Sequence, residues 1–425
     1  MSEFQFIHAA DLHLGAPFRG LHQNPNIAAA EKATYAAFDQ IIQLAITRKV
    51  LFVLFSGDIF DAEYPNLWAQ LQFQKGIQRL DEAGIYSCVI RGNHDHGGSR
   101  RAQLEFPATY FEFPSGGNEP YFIDQDNIPI AAIYGYSYPQ RAVTENVLRH
   151  FKPGAPEEKY FRIGMLHGNV GGDPAHDNYA PCSVAQLKEI AIDYWALGHV
   201  HQAKVLSADA PAIVYPGTPQ GLSARETGAH GCYLVNVKDR HCQLEFIPTD
   251  SLRWANVSCD ITKIESEEAL LQTLEEKLNA LRQQEQRALI ARLEITGRGP
   301  LHGVLRNPQT RNVMREELNG RLESVWIDRL QNATRPDLDL ETKRQENNLL
   351  GDFLRLCQEA KTNQELRQKV LLSLADACDH PTVREALDIR GAAEYQQWLD
   401  AQLPGWLEQA ETHGADLLVE DSREI

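Results

Sequence analysis

Long apolar runs are missing from this 425-residue chain. None reaches the roughly 18 consecutive apolar residues that a membrane helix needs, so no membrane span is expected. A charged leader followed by an apolar segment is also absent. Met1-Ser2-Glu3 runs straight into a strand-like stretch, the pattern of a protein kept in the cytoplasm. Cysteine is scarce and unpatterned. Its seven copies, at 88, 182, 232, 242, 259, 357 and 378, are odd in number and lack CxxC spacing. This indicates neither a zinc knuckle nor a disulfide framework, and leaves reduced packing residues. Positive charge is in deficit: 41 Lys and Arg against 58 Asp and Glu give a formal net charge of -17. Sequence-independent affinity for nucleic acid rests on Lys and Arg neutralising phosphates, so a surface that grips a polyanion everywhere is disfavoured. Any polyanion must be held locally, by bound metal ions or with a partner protein's help.

What is present is a set of short apolar runs that all stop in metal-binding residue types. Phe4 to Ala10 ends in Asp11-Leu12-His13, Leu51 to Phe55 in Ser56-Gly57-Asp58, and Ile85 to Ile90 in Arg91-Gly92-Asn93-His94-Asp95. Arg162 to Leu166 ends in His167, and Tyr194 to Leu197 in Gly198-His199-Val200-His201. Such runs read as buried strands. In open α/β sheets the carboxyl ends of strands line one crevice, which predicts that the five polar tips meet.

The length predicts two or three domains. Through residue 200 strands alternate with helices at Ile27 to Arg48 and Asn66 to Ala83, the order of βαβ units and a largely parallel sheet. Residues 202 to 250 read as an antiparallel meander, with Lys238-Asp239-Arg240 as one turn, that builds a second sheet packed on the first. A β-α-β-α-β order follows over 251–332, a small α+β domain. From 333 to 425 the pattern is helical, with Leu349, Leu350, Phe353, Leu354, Val370, Leu371 and Leu374 at helical spacing. That face either docks a partner or, the slightly favoured reading, packs within its own domain. The fold class is thus α/β: a two-sheet core flanked by helices (1–250), an α+β unit and a helical C-terminal region.

Imidazole and carboxylate donors suit first-row divalent ions. Asp11, His13, Asp58, Asn93, His167, His199 and His201 exceed the needs of one ion. Two ions sharing one carboxylate use the set economically, and Asp58 is the natural bridge. Strand alternation points His199 and His201 to the same side. Each element alone is weak, since a lone histidine is more often a hydrogen-bonded core or surface residue. Their joint occurrence at five strand ends is not a chance pattern.

These motifs resemble the calcineurin-like metallophosphoesterases. The flanking stretches Ala9 to Gly15, Ser56 to Asp61 and Tyr215 to Gln220 are similar to the DNA repair exonuclease branch, of SbcD type and more closely its YhaO-like subgroup. The resemblance covers roughly the first 250 residues. It implies that Asp11, His13, Asp58 and His201 hold one metal ion and that Asp58, Asn93, His167 and His199 hold the other. The pair would be Mn2+, with Mg2+, Fe2+ or Zn2+ as alternatives. His94 would protonate or position the leaving oxygen, and Asp95 would orient His94. It further implies a DNA substrate, a homodimer and an SMC-like coiled-coil ATPase partner of SbcC type engaged through the C-terminal helices, with 251–332 as a capping domain. Arg91, Arg100 and Arg101 flank the central motif and can either pair with phosphates or simply solvate a face. The segment Gly168 to Pro181, with His176, Asp177 and Tyr179, departs from the SbcD pattern and is expected to be a plain surface loop, the alternative being that it shapes the substrate mouth. Two other functions compete with the nuclease: a phosphatase or small-molecule phosphodiesterase on the same metal core, and a mainly structural subunit of an ATPase complex.

Overall fold

In the computed structural model, residues 3–18, 27–61, 66–116, 119–125, 127–154, 160–173, 177–378 and 391–421 are described. The strands that carry the motifs are buried on both faces. β2 (Phe52–Ser56) is buried at every position, as expected where both sides of a parallel sheet are covered. In chain order the N-terminal elements are β1 (Phe4–Ala9), α1 (Ile27–Arg48), β2, α2 (Leu67–Glu82), β3 (Tyr86–Ile90), β4 (Tyr110–Glu112), β5 (Tyr121–Gln125) and β6 (Ile128–Tyr136). They are followed by β7 (Phe161–His167), α3 (Val184–Lys188), β8 (Tyr194–Gly198), β9 (Lys204–Ser207), β10 (Ala212–Tyr215), β11 (Gly231–Lys238) and β12 (His241–Pro248).

Two six-stranded sheets result, in the orders β12-β11-β1-β2-β3-β4 and β5-β6-β7-β8-β10-β9. Within them β1, β2 and β3 are mutually parallel, as are β6, β7, β8 and β10. Alternation along each strand divides its side chains between two layers. Phe6, Phe52, Leu54 and Ile90 of the first sheet meet Ile133, Ile163, Met165 and Val214 of the second in one buried cluster. Ile7, Val53, Phe55 and Val89 pack instead under Phe38, Ile41, Phe73 and Ile77 of the two long helices. Leu166, Trp195, Leu197 and Ile213 are covered by Val143, Val147, Phe151 and Leu187 on the outer side of the second sheet.

The meander expected over 202–250 is corrected. Its four strands do not form one sheet: β11 and β12 are an antiparallel hairpin added to β1, while β10 runs parallel to β8 and carries β9 on its edge. The turn itself is as read, with Asp239 and Arg240 at positive φ. Both sheets draw on the first 200 residues.

The remaining elements are β13 (Leu252–Asp260), α4 (Glu267–Glu285), β14 (Ala288–Thr296), α5 (His302–Leu305), α6 (Pro308–Arg321), β15 (Val325–Asn332), α7 (Leu340–Arg344), α8 (Leu349–Thr362), α9 (Gln364–Cys378) and α10 (Ala392–Asp421). Strands β13, β14 and β15 form a third sheet in that order. The chain divides into two compact units, one of Met1–Val257, Glu276–Arg292 and Leu318–Arg329, the other of Ser258–Glu275, Leu293–Glu317 and Leu330–Ile425. Inside the second, Leu350 and Leu354 pack with Leu338 and Ala415. Leu371 joins Tyr395, Leu399, Leu403 and Leu407 in another cluster. The apolar face read from the sequence is therefore largely spent on helix-to-helix packing, although Leu349 and Leu372 stay exposed. No described helix is long and apolar enough to cross a membrane.

Candidate metal centre

The five polar tips come together, but across two sheets. Asp11, Asp58 and Asn93 follow β1, β2 and β3 of the first sheet, whereas His167 ends β7 and His199 follows β8 of the second. The two sheets approach each other through backbone at this end. A Cβ on Gly198 would sit 2.0 Å from the Ser56 carbonyl oxygen, so only glycine lets β8 approach β2 this closely. Four of the donor residues hold left-handed backbone: Asp11 (φ 52), His13 (φ 42), Asp58 (φ 49) and His199 (φ 96). Non-glycine residues seldom adopt such angles, and clusters of them mark functional sites. The backbone amide of His199 donates to both Asp11 oxygens, at 3.1 and 3.0 Å. That of His94 donates to Asp58 Oδ1 at 2.8 Å.

Of three groups of potential ligand atoms among the described residues, each within 4.8 Å of one another, one is His13, Asp61 and His94; the other two are Asp11, His13 and His201, and Asp11, Asp58 and His167. Asp58 Oδ2 lies 3.9 Å from His13 Nε2 and 3.4 Å from His167 Nε2, between the two sets. Asn93 turns its amide oxygen to His167 Nε2 at 3.0 Å. The His199 ring centroid is 5.3 Å from that of His167, and its Nε2 faces the Asp177 carbonyl oxygen at 2.8 Å.

Electrostatics and hydrogen bonding both fit a cation here. Burial pushes the His13 imidazole down to about 3, so it is neutral at working pH, and its buried Nε2 has no hydrogen-bond partner. Burial likewise lifts the Asp11 carboxyl to about 6. His167 shows the opposite balance: burial disfavours its charge, but Asp58 and Asp11 beside it outweigh that and raise it to about 9. Asp58 is correspondingly held well below the usual carboxylate range, burial being overcome by His167. His167 Nδ1 lies 3.0 Å from the Ser56 carbonyl oxygen, a pure acceptor, while Nε2 confronts oxygens of Asn93 and Asp58. Either a second proton or a metal ion must sit among those three atoms. An orphaned imidazole nitrogen and oxygens converging on another are the donor set that first-row divalent ions take.

His94 stands beside this cluster, its ring centroid 5.0 Å from that of His13. Asp95 is the orienting partner expected from the sequence; the structure assigns that contact to Asp61, whose Oδ1 is 3.0 Å from His94 Nδ1. Burial disfavours the His94 imidazolium, but Asp61 and Asp58 outweigh burial and raise its pKa above the ordinary value. Asp95 is buried elsewhere and acts on backbone, accepting from the amides of Gly92 (2.8 Å) and Ile59 (2.9 Å) and pairing with Arg101 at 3.3 Å. It ties together the two loops that present Asp58 and Asn93. Adjacency in sequence favours Asp95, although Asp61, three residues beyond Asp58, lies within the same strand-end motif.

Of the three flanking arginines, Arg91 and Arg101 are committed to Glu112. Arg100 remains exposed, without an ion pair among the described residues. The 168–181 segment is more than a surface loop. Asn169 is buried and holds Asp173 through two hydrogen bonds, Tyr215 Oη donates to the Gly168 carbonyl, and Asp177 meets His199. His176 lies outside the described residues.

The calcineurin-like phosphoesterase family profile matches residues 4–203, and the profile of the metallophosphoesterase YhaO middle domain matches 254–335. An uncharacterized metallophosphoesterase YhaO from Bacillus subtilis is 37% identical over 302 residues, covering 71% of this chain and 73% of that protein. The DNA double-strand break repair protein Mre11 of Sulfurisphaera tokodaii is 28% identical, over 53% of this chain and 56% of its own length. One of the subunits of the nuclease SbcCD from Escherichia coli is 22% identical, over 53% and 62% respectively. The chain thus spans somewhat more than half the length of these last two relatives. Its five strand-end motifs, two-sheet core and extended similarity to the Bacillus protein place it together with them: the chain belongs to the calcineurin-like metallophosphoesterases, with a middle domain of YhaO type.

Proposed function

We propose that this metallophosphoesterase is a two-metal DNA nuclease, most simply an exonuclease, acting in the cytoplasm in DNA repair or end processing. The observation that carries the reading is the convergence of seven donors with His94 held by Asp61 at their edge. Asp11, His13, Asp58 and His201 would hold one divalent ion, and Asp58, Asn93, His167 and His199 the other, Mn2+ being the preferred metal. When bound, the ions supply Lewis acidity at phosphorus and a water acidic enough to attack it at neutral pH. His94 holds a proton on the imidazole that Asp61 steadies and delivers it to the departing sugar oxygen. Asp95 keeps the Gly92 and Ile59 amides fixed, so that Asp58 and Asn93 stay aligned. DNA as substrate is supported by the relatives named for double-strand break repair and for a nuclease. A homodimer with an SMC-like coiled-coil ATPase partner is part of the proposal. It also suits a chain whose negative charge leaves little surface for an independent grip on DNA. In this reading residues 251–332 cap the site and 333–425 carry the partner.

The test is Mn2+-dependent nucleotide release from end-labelled linear duplex DNA. Chelation or Asp58→Asn is expected to abolish it, and His94→Ala to slow it by about 100-fold or more. Hydrolysis of nucleotide monoesters with no release from DNA would replace the nuclease by a phosphatase. Wild-type release unaffected by chelation would overturn the metal assignment.

A further inference from the structure

His201 is the least buried of the donor histidines, and the chain encloses it with a segment that none of the strand-end motifs includes. Glu226, in the connection between β10 and β11, reaches back over 25 residues to place Oε1 2.7 Å from His201 Nδ1. Its second oxygen, Oε2, accepts from the backbone amides of Leu222 at 2.6 Å and Ser223 at 3.1 Å. One carboxylate oxygen thus accepts from two backbone amides, and the other faces the imidazole nitrogen. The Glu226 carbonyl oxygen lies 3.2 Å from His230 Nε2. His230 Nδ1 is 2.8 Å from Thr218 Oγ1, and the Thr218 amide returns to the His201 carbonyl oxygen at 3.0 Å. The four residues close a ring. Two glycines make room for it: a Cβ at Gly217, whose φ is +75°, would sit 2.6 Å from the His201 oxygen, and one at Gly221 would sit 2.7 Å from the Glu226 oxygen.

We propose that Glu226 is the positioning residue for His201, fixing the imidazole as the Nδ1–H tautomer so that Nε2 keeps its lone pair for the metal shared with Asp11 and His13. This deepens the two-metal reading and rests on it. An ionised carboxylate, one of whose oxygens two backbone amides already stabilise, can only accept, so the hydrogen between Glu226 Oε1 and His201 belongs to Nδ1. Carboxylate partners of this kind set tautomer and ring orientation at metal sites, and their loss typically costs about 10–100-fold in metal affinity. Glu226→Gln is isosteric but cannot satisfy every partner. If its oxygen faces the Leu222 and Ser223 amides, its NH2 faces Nδ1 and drives the proton to Nε2. If reversed, two amide donors confront an NH2.

Two measurements on the full chain test this. Calorimetric Mn2+ titration is expected to show two ions on the wild type, with one site weakened about 10–100-fold in Glu226→Gln. The thermal midpoint of the metal-free protein guards against simple unfolding. Long-range 1H–15N correlation spectra of the metal-free protein are expected to give His201 as Nδ1–H in the wild type and to lose that pattern in Glu226→Gln. Thr218→Val removes only the Thr218 hydroxyl contact to His230 and is expected to leave the tautomer in place. Failure of the wild type to bind any ion overturns the two-metal reading and this proposal with it. Two ions bound with wild-type affinity by a folded Glu226→Gln, or an unchanged tautomer, overturns the role of Glu226 alone.

Discussion

At Gly92 the backbone lies directly against two donor side chains of the centre, which makes Gly92→Ala a sharp perturbation. Its φ is not in the left-handed region, so alanine introduces no conformational strain of its own. The added Cβ, however, would stand 2.2 Å from Asp58 Oδ1 and 2.8 Å from His167 Cε1, where ordinary contact begins at 3.4 Å. The carboxylate must retreat by about 1 Å, and the oxygen that would be struck is the one held by the His94 amide. A ligand moves out of register once displaced by more than about 0.2 Å, and a 1 Å misplacement near chemistry costs on the order of 100-fold in rate. The fold should tolerate the methyl at about 1–3 kcal/mol, the usual range for overpacking. Gly84→Ala is the control. Gly84, at the opposite end of β3, has φ +70 and open space around it, so alanine there costs about 1–2 kcal/mol of backbone strain without reaching the site. Urea denaturation of the metal-free proteins, Mn2+ calorimetry and phosphodiester hydrolysis separate the two. Gly92→Ala is expected to lose ion affinity and at least 100-fold in rate, as estimated above, while Gly84→Ala loses stability alone. A Gly92→Ala protein that binds two ions normally and retains its rate would refute the claim that Asp58 is locked between Gly92 and His167.

Asp61→Asn removes the group that, against burial, raises the His94 pKa. A proton donor acts only below its pKa, so the alkaline limb of the rate profile, measured at saturating metal, is expected to move to lower pH. An unmoved limb would take His94 out of the proton transfer. His8, buried in β1 between Tyr194 Oη and the Leu197 carbonyl, is pushed by burial down to about 3 from 6.5. The unfolded chain takes up a proton below pH 6.5 that the folded chain refuses until about 3, so this residue's contribution is complete above 6.5 and is lost as pH falls through that window, by up to about 1.4 kcal/mol per unit. Stability measured by urea between pH 4.5 and 6 should fall less steeply with acidification in His8→Gln by about one proton; equal slopes in the two proteins would show that His8 is not the buried neutral group.

How much of this is legible in the sequence follows from the range of the interactions involved. The five strand ends can be read because each is local: an apolar run, a glycine or tight turn, and a donor. Which sheet a strand joins is not local. β11 and β12 announce their hairpin through the Lys238-Asp239-Arg240 turn, but nothing near them says that β11 pairs with β1, whose residues lie more than 200 positions earlier. The donors belong to two sheets, and what unites them is the close backbone approach of β8 to β2 at Gly198. That glycine is visible in the Gly198-His199 motif without its reason.

The partner of His94 escapes a sequence reading for the same cause. Asp95 is next in sequence, yet a residue at the end of β3 is oriented by whatever the loop after β2 sends across. There Asp61 reaches His94 while Asp95 turns back to the Ile59 amide. Glu226 is invisible for a stronger reason, since only the closed ring through Thr218 and His230 brings its carboxylate to His201. Donor atoms can be named from strand ends, because a strand end is a local event. Their orientation is set by partners from distant loops, as with Asp61 for His94, Asp177 for His199 and Glu226 for His201. Substitutions at Asp61 and Glu226, which act through their side chains, should therefore alter proton transfer and ion affinity while leaving every residue of the recognisable motif in place, whereas Asp177 acts through its backbone carbonyl and its contact should survive a side-chain change.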